Sequence, residues 1–162
     1  LPGIKYEDSI YECYGPEGVA ILLEVLTDNK NRTVSEIKNI LSKNGGNLGE
    51  SGCVNWMFEK KGTITISKNN VDEEMVLEFL EYDIEDFESD DDFYVITTLP
   101  ENFDIVSKNI ETAGIEIDGE VGLTASNIVK VSSEESNKIL NLLEQLDSHD
   151  DIQKVHTNFE IE

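Results

Sequence analysis

This sequence has few positively charged residues. Its 162 residues carry 12 Lys and Arg against 35 Asp and Glu, which gives a formal net charge of −23. Such a surface repels phosphate, so the chain as a whole is expected to bind duplex DNA weakly or not at all. A nucleic-acid role would have to come from a local patch or from a part of the protein that this chain does not contain.

Long apolar runs, catalytic motifs and paired cysteines are also absent from the sequence. No stretch reaches the roughly 20 apolar residues of a membrane-spanning helix, and nothing resembles a signal peptide, so we expect no membrane partner. The patterns GxSxG, HExxH, P-loop and CxxC do not occur, so we expect neither an enzyme nor a bound cofactor. Cys13 and Cys53 stand alone, which predicts free thiols in the reducing cytoplasm, although the sequence leaves a disulfide between them open.

Two polar clusters resemble metal sites but have simpler interpretations. His149 and His156 lie around a predicted turn that also contains Asp150 and Asp151, and solvated turn residues explain them without an ion. The acidic run at 88–92 lacks the glycine and the distant glutamate of an EF-hand loop, and we expect it to be a hairpin between two strands. The sequence therefore predicts no metal site.

The first part of the chain predicts a strand followed by a helix. The apolar run at 18–26 predicts a buried central strand. Thr33 and Glu36 have the spacing of a capping box, which predicts that the helix begins after a polar loop carrying Lys30 and Arg32. A pair of glycines predicts its end.

Two further strands are predicted after this helix. They cover residues 54–58 and 63–66, and a turn is predicted between them at 60–62. Trp56 and Phe58 share one face of the first of these strands, because side chains alternate along a strand. We expect both aromatic residues in the core rather than on a platform that stacks against bases.

The remaining elements divide the chain into two domains. Residues 62–124 predict the order βαββαβ of a ferredoxin-like unit. Residues 125–162 predict a strand, a helix capped by Ser132 and Glu135, and an edge strand, which are too few elements to fold alone. Their simplest partner is the beginning of the chain, 1–61. We therefore predict an α+β fold in which a ferredoxin-like βαββαβ domain is inserted into a discontinuous second α+β domain.

Charge differs between the two predicted domains. Residues 62–124 hold 18 acidic and 2 basic side chains, whereas 1–61 and 125–162 together hold 17 acidic and 10 basic. The outer domain is therefore the less repulsive surface for an anionic partner. Its cations and nearby amides are candidate nucleic-acid contacts, with solvated surface side chains as the alternative interpretation. The candidates are Asn29, Lys30, Asn31, Arg32, Lys43, Asn47, Lys60 and Lys61.

Three parts of the sequence resemble the YebC/PmpR family of gene-expression regulators. Residues 11–20, YECYGPEGVA, are similar to the family's YEGYGPGGVA segment. Residues 26–34, LTDNKNRTV, and 43–49, KNGGNLG, look like its core signature. Residues 146–159, LDSHDDIQKVHTNF, resemble its closing LEDLDDVQNVYTNF stretch.

The resemblance implies both an architecture and a function. Members have an N-terminal helical domain followed by two α+β domains, one inserted in the other, and we expect that the basic N-terminal domain is missing here. Members are DNA-binding transcriptional regulators, and mitochondrial relatives are translational activators of cytochrome oxidase. The resemblance thus implies a non-enzymatic partner of DNA or, alternatively, of ribosomal RNA. A small-molecule-sensing regulatory domain is a second alternative that rests on fold analogy alone, and we expect no small-molecule ligand.

Overall fold

Ten strands and four α-helices make up residues 3–162, the part of the chain that this computed structural model describes. In chain order they are β1 Glu7–Tyr14, β2 Ala20–Thr27, α1 Lys30–Lys43, β3 Asn47–Leu48, β4 Phe58–Ser67, α2 Glu73–Phe79, β5 Asp86–Ser89, β6 Phe93–Thr98, α3 Phe103–Thr112, β7 Asp118–Ala125, β8 Val129–Val131, α4 Ser133–Asp147, β9 Ile152–Thr157 and β10 Phe159–Ile161. The predicted α+β fold class is confirmed. None of the described helices has the length and apolar character of a membrane span.

Two compact units share these elements. One, here called the outer unit, consists of the described part of Leu1–Phe58 together with Ala125–Glu162. The other, here called the inserted unit, is Glu59–Thr124. Each unit has its own cluster of buried apolar side chains, so the chain leaves one core, completes a second and returns to the first.

The outer unit is built on a four-stranded sheet in the order β3-β1-β2-β9. Strand β2 pairs antiparallel with β1 on one side and with β9 on the other. Its side chains Ile21, Leu23 and Val25 are at most 2% exposed, so β2 is the buried central strand that the sequence predicted. Strands β8 and β10 form a separate two-stranded parallel sheet.

Helices α1 and α4 supply the rest of the outer core. Apolar side chains recur every three or four residues along each helix, which places them on one face. Ile37 and Leu41 of α1 are fully buried in the same cluster as Ile139, Leu142 and Leu146 of α4. Packing of these two apolar stripes onto β2 therefore holds the outer unit together.

Two helix ends in the outer unit follow the local rules that predicted them. The hydroxyl oxygen of Ser132 accepts a hydrogen bond from the backbone N–H of Glu135 at 3.2 Å, so α4 begins at the predicted cap. Helix α1 ends at Lys43 with Asn44 as its C-cap, and Gly45 follows with a φ of +80°, a left-handed conformation that glycine adopts without strain.

The start of α1 differs from the prediction. The carboxamide oxygen of Asn29 accepts a hydrogen bond from the N–H of Arg32 at 3.1 Å, which makes Asn29 the cap. The predicted capping box of Thr33 and Glu36 is therefore wrong, because Thr33 lies inside the helix and its side chain is fully buried. As a consequence, Lys30 and Arg32 lie in the first turn of α1 and not in a loop.

The inserted unit has the strand order β5-β6-β4-β7. Strand β6 pairs antiparallel with both β4 and β5. The first and third strands of the inserted unit, β4 and β6, thus lie in the middle of the sheet, as they do in a ferredoxin-like βαββαβ unit. Ile64, Ile66 and Ile96 of the sheet form its core with Val106 and Ile110 of α3.

The predicted turn at 60–62 is wrong, because β4 runs through it without interruption. Gly62 pairs with Thr98 in the sheet, and the ring of Phe103 lies close to Gly62 and to Gly119. A Cβ at Gly62 would lie 2.6 Å from Phe103 Cδ1, and one at Gly119 would lie 2.9 Å from its Cζ. Gly62 therefore allows close packing against Phe103 and does not mark a turn. Lys60 and Lys61 accordingly belong to strand β4.

The strand predicted at 54–58 is also wrong for most of its length. Asn55–Met57 form a 3₁₀ turn, because the carboxylate of Glu12 accepts backbone N–H groups here that a neighbouring strand would otherwise bind. Trp56 is 60% exposed, and its Nε1 donates to the carbonyl oxygen of Cys53 at 3.1 Å. The expectation of a core position is thus confirmed for Phe58 and wrong for Trp56.

Candidate nucleic-acid interface

Carboxylates of the same chain hold the two candidate cations at the start of α1. Lys30 Nζ lies 2.9 Å from Glu7 Oε2. Arg32 Nη2 lies 3.2 Å from Asp28 Oδ1 and 3.1 Å from Asp151 Oδ2. The positive charge of both residues is therefore already balanced, and an anionic partner has to compete with these carboxylates for it.

Asp151 is the centre of a polar cluster between α1 and the turn before β9. Its Oδ2 accepts hydrogen bonds from the hydroxyl of Thr33 at 2.8 Å and from Arg32. Burial raises the pKa of Asp151, but these hydrogen bonds and the nearby positive charge outweigh that effect, and the net pKa is lowered. The Thr33 hydroxyl oxygen also lies 2.8 Å from that of Thr27, where it accepts, because its one proton goes to Asp151. The cluster joins parts of the outer unit that are far apart in sequence.

The two histidines of the chain each contact one carboxylate. His149 Nε2 contacts Glu36, and His156 Nε2 lies 2.6 Å from Glu24 Oε2. Within residues 3–162, no three His, Cys, Asp or Glu side chains are arranged to hold a metal ion. Each histidine therefore has a carboxylate partner within the outer unit.

The acidic run at 88–92 forms the hairpin between β5 and β6. Asp90 Oδ1 accepts the N–H of Phe93 at 2.7 Å and the N–H of Asp92 at 2.8 Å. These backbone hydrogen bonds, with Phe93 the stronger contributor, lower the pKa of Asp90. The carboxylate of Asp90 therefore stabilises the hairpin turn, which gives the acidic run at 88–92 a local structural role.

The lysines of β4 have different surroundings from each other. Lys61 Nζ lies 3.6 Å from Glu59 Oε2, and the Lys61 side chain is only 20% exposed. Lys60 is exposed on the same strand. Both belong to the inserted unit, in which acidic side chains outnumber basic ones 19 to 4.

Lys43 lies at the last residue of α1, beside a pocket of about 500 Å³ in the outer unit. The β1–β2 connection, the end of α1 and one face of α4 enclose this pocket. Its lining residues are Pro16 and Glu17 from the connection, Lys43, Asn44 and Gly45 from the helix end, and Lys138 and Asn141 from α4. The 11–20 and 43–49 segments singled out in the sequence thus meet at one place. Another candidate, Asn47, is exposed in β3, a few residues after the end of α1.

A network of amide side chains connects α1 to α4 at this pocket. Asn44 Nδ2 donates to the carbonyl oxygen of Ile40 at 2.7 Å and to Gln145 Oε1 at 3.1 Å. Asn44 Oδ1 accepts from Asn141 Nδ2 and from Gln145 Nε2, both at 3.2 Å. Both polar atoms of the Asn44 side chain thus have partners, and Asn44 connects the end of α1 to Asn141 and Gln145 of α4.

Sequence reasoning missed Lys138 and Asn141. The only available signal is their spacing, since Lys138, Asn141 and Gln145 fall on one face of α4 at intervals of three and four. That pattern is common on solvated helix faces. Only the packing of α4 against α1 shows that this face lies beside Lys43.

Glu12 is a second residue that sequence reasoning missed. The residue is 6% exposed, and its carboxylate accepts hydrogen bonds from the backbone N–H groups of Gly52 at 2.5 Å, Val54 at 3.0 Å and Asn55 at 2.6 Å. Burial raises the pKa of Glu12, but the three hydrogen bonds lower it further, so the net pKa is lowered. An ionised carboxylate therefore anchors the loop that carries Trp56.

Comparison with known proteins gives one family. A family model described as the second and third domain of TACO1/YebC matches residues 6–159. A probable transcriptional regulatory protein of Natranaerobius thermophilus is 49% identical over 167 residues, covering 100% of this chain and 67% of that protein. One of Dictyoglomus turgidum is 46% identical over 164 residues, covering 99% of this chain and 66% of that protein.

A solved structure is similar over the whole chain. The crystal structure of a conserved hypothetical protein from Aquifex aeolicus has a TM-score of 0.83 and 39% identity, covering 100% of this chain and 68% of that one. This chain therefore spans about two thirds of the length of the relatives that it matches.

Proposed function

The chain belongs to the TACO1/YebC family, and on that premise we propose that it is part of a non-enzymatic, nucleic-acid-binding regulator of gene expression. The relatives are named as probable transcriptional regulatory proteins, which favours a DNA-binding transcriptional role in the cytoplasm. A ribosome-associated translational role is the competing assignment. The cell experiment below separates the two.

The distribution of charge is the observation that carries this proposal. The inserted unit holds 19 acidic and 4 basic side chains, whereas the outer unit holds 16 acidic and 8 basic. Lys43 and Lys138 form no ion pair with any residue that the structure describes. Unpaired cations beside neutral amides are the groups that contact phosphate. We therefore assign nucleic-acid contact to the outer unit.

The eight residues proposed as contacts fall into two groups. The pairing of Lys30, Arg32 and Lys61 with carboxylates makes them weaker candidates, because an existing contact has to be broken. The other candidates are exposed and have no carboxylate partner among the described residues. These are Asn29, Asn31, Lys43 and Asn47 of the outer unit, together with Lys60, which falls outside the assignment to the outer unit because it belongs to the inserted unit.

Crosslinking of the full-length protein in cells tests the proposal. Ultraviolet crosslinking and sequencing of the recovered nucleic acid should yield promoter DNA if the role is transcriptional. Recovery of ribosomal RNA instead would replace it with the translational role. Recovery of neither above the level of an unrelated acidic protein would refute a nucleic-acid partner.

A further inference from the structure

The pocket between α1, α4 and the β1–β2 connection has a cationic rim. Lys43 and Lys138 are both exposed on it. Neither forms an ion pair with the residues at 3–162, in contrast to Lys30 and Arg32. The two ammonium groups can therefore bind an anion without losing a contact inside the protein. In a chain of net charge −23, the rim places two unpaired lysines beside a single carboxylate.

Neutral amide side chains also line the pocket. Asn44 joins α1 to α4 through its hydrogen bonds with Asn141 and Gln145. Asn141 Nδ2 uses one N–H on Asn44, and no described residue accepts the other. A donor that is held in place and has a free N–H loses little freedom when it binds an oxyanion.

Glu17 is the one carboxylate among the described residues that line the pocket. It has a φ of +62°, a left-handed conformation that side-chain-bearing residues rarely adopt. The YEGYGPGGVA segment that this part of the chain resembles has a glycine at the same place. Glu17 therefore adds a negative charge at a position where the backbone suits glycine, and this charge opposes an anion in the pocket.

We propose that this pocket binds a phosphate group of a nucleic-acid backbone. Lys43 and Lys138 balance its charge, the free N–H of Asn141 donates to one of its oxygens, and Glu17 weakens the binding. The inference rests on the proposed function and locates its contact. A volume of about 500 Å³ has room for a phosphate and part of the attached sugars. The polar lining suits a charged group rather than an apolar ligand.

The test measures binding of the full-length protein to fluorescein-labelled duplex DNA and to single-stranded RNA of the same sequence by anisotropy, across a salt series. In the variant Lys43→Ala/Lys138→Ala, the slope of log affinity against log salt should fall by about one unit, because the contact with one phosphate is lost. The matched control is Lys38→Ala, which removes an exposed lysine of α1 outside the pocket lining. It should leave the slope unchanged.

Glu17→Gly gives a test in the opposite direction. It should raise affinity in the native background and have no effect in the Lys43→Ala/Lys138→Ala background, because the charge it removes acts on the same phosphate. Glycine fits the left-handed backbone, so this variant should fold at least as well as the parent. Circular dichroism melting curves check the fold of each variant.

Four outcomes have distinct meanings. If the parent protein binds neither DNA nor RNA, the proposed function fails. If the parent binds and the double variant keeps its slope and affinity, only the pocket assignment fails. If inorganic phosphate binds the parent in calorimetry as tightly as the oligonucleotide does, the ligand is free phosphate and the nucleic-acid source is wrong. Loss of slope for both DNA and RNA, with weak binding of inorganic phosphate, supports the proposal.

Discussion

Arg32 and Asp151 lie 119 positions apart in the sequence, and their side chains meet at 3.1 Å between Nη2 and Oδ2. The contact joins the first turn of α1 to the turn that precedes β9. The same carboxylate oxygen accepts the hydroxyl of Thr33, which is buried. Asp151 thus connects the early and late parts of the outer unit through two different partners.

Replacing Asp151 should destabilise the protein. In Asp151→Ala the buried Thr33 hydroxyl loses an acceptor and Arg32 loses a carboxylate, so the free energy of unfolding should fall by about 1–3 kcal/mol. Urea denaturation followed by circular dichroism measures this change. Asp150→Ala is the matched control, because Asp150 is exposed, and it should change stability by less than about 0.5 kcal/mol. Equal losses in the two variants would contradict a specific role for Asp151.

The stability that Glu12 contributes should depend on pH. Its pKa is lowered in the folded protein, so the unfolded chain takes up the proton first as the pH falls. The contribution is therefore complete above the unfolded pKa of about 4.3 and is lost as the pH falls through the folded value. Urea denaturation between pH 7 and pH 3 measures this effect.

Glu12→Gln isolates this effect from the relief of overall charge repulsion on acidification. The variant should be less stable than the parent by about 2 kcal/mol at pH 7, because three N–H groups lose an ionised acceptor. The difference between parent and variant should shrink below about pH 4. A difference that stays constant to pH 3 would mean that folding does not lower the pKa of Glu12.

The two thiols should differ in reactivity. Cys13 is fully buried, and burial, together with the nearby Cys53 and Glu12, raises its pKa to about 12. Cys53 is partly exposed, so a disulfide-exchange reagent should titrate one thiol in the folded protein and two in urea. Cys53→Ser should abolish the fast reaction. A total of zero thiols in urea would show that the two cysteines form a disulfide after all.

The inserted unit should fold by itself. A peptide of residues 59–124 contains the complete βαββαβ order and its own apolar core, so it should show a cooperative thermal transition by circular dichroism. A peptide starting at residue 62 would lose part of β4, which begins at Phe58. Absence of a transition in the longer peptide, while the parent chain unfolds cooperatively, would contradict the division into two domains.

Two glycine variants of the inserted unit test the packing of Phe103. Gly62→Ala places a Cβ 2.4 Å from Thr98 Oγ1 and 2.6 Å from Phe103 Cδ1, and the overlap should cost about 1–3 kcal/mol. Gly122→Ala is the matched control in β7, since a Cβ there meets nothing within 4 Å. Thermal melting of both variants in the full chain measures the difference. Equal stability would mean that β4 shifts freely away from α3.

The parts of the fold that local patterns encode could be predicted from the sequence. The apolar run of β2 and the cap of α4 at Ser132 are examples, because each depends on neighbouring residues alone. The start of α1 could not be predicted, because Asn29 and Thr33 both suit a cap and the contact of Thr33 with Asp151 decides between them. The sequence favours a turn at Gly62, because the side chain that packs against this glycine, Phe103, is distant in sequence.

The candidate site was predicted as a set of residue types and not as an arrangement. Composition identifies lysines and asparagines in the outer part of the chain, but it does not show that Lys30 and Arg32 are paired with carboxylates. It also does not place Lys138 beside Lys43, because that proximity depends on how α1 packs against α4. The choice among cations therefore needs the tertiary structure.

The pairing of β2 with β9 has a consequence for synthesis on the ribosome. The inserted unit is complete once β7 has emerged from the exit tunnel, whereas the outer unit has to wait for α4 and β9. During that interval the apolar residues of β2 have β1 and α1 beside them but lack β9 and α4. Nascent chains stalled with β7 outside the exit tunnel and β9 still inside it should therefore contain a protease-resistant inserted unit and a protease-sensitive segment before β4. The first half of the outer unit would thus be made before the inserted unit and fold after it.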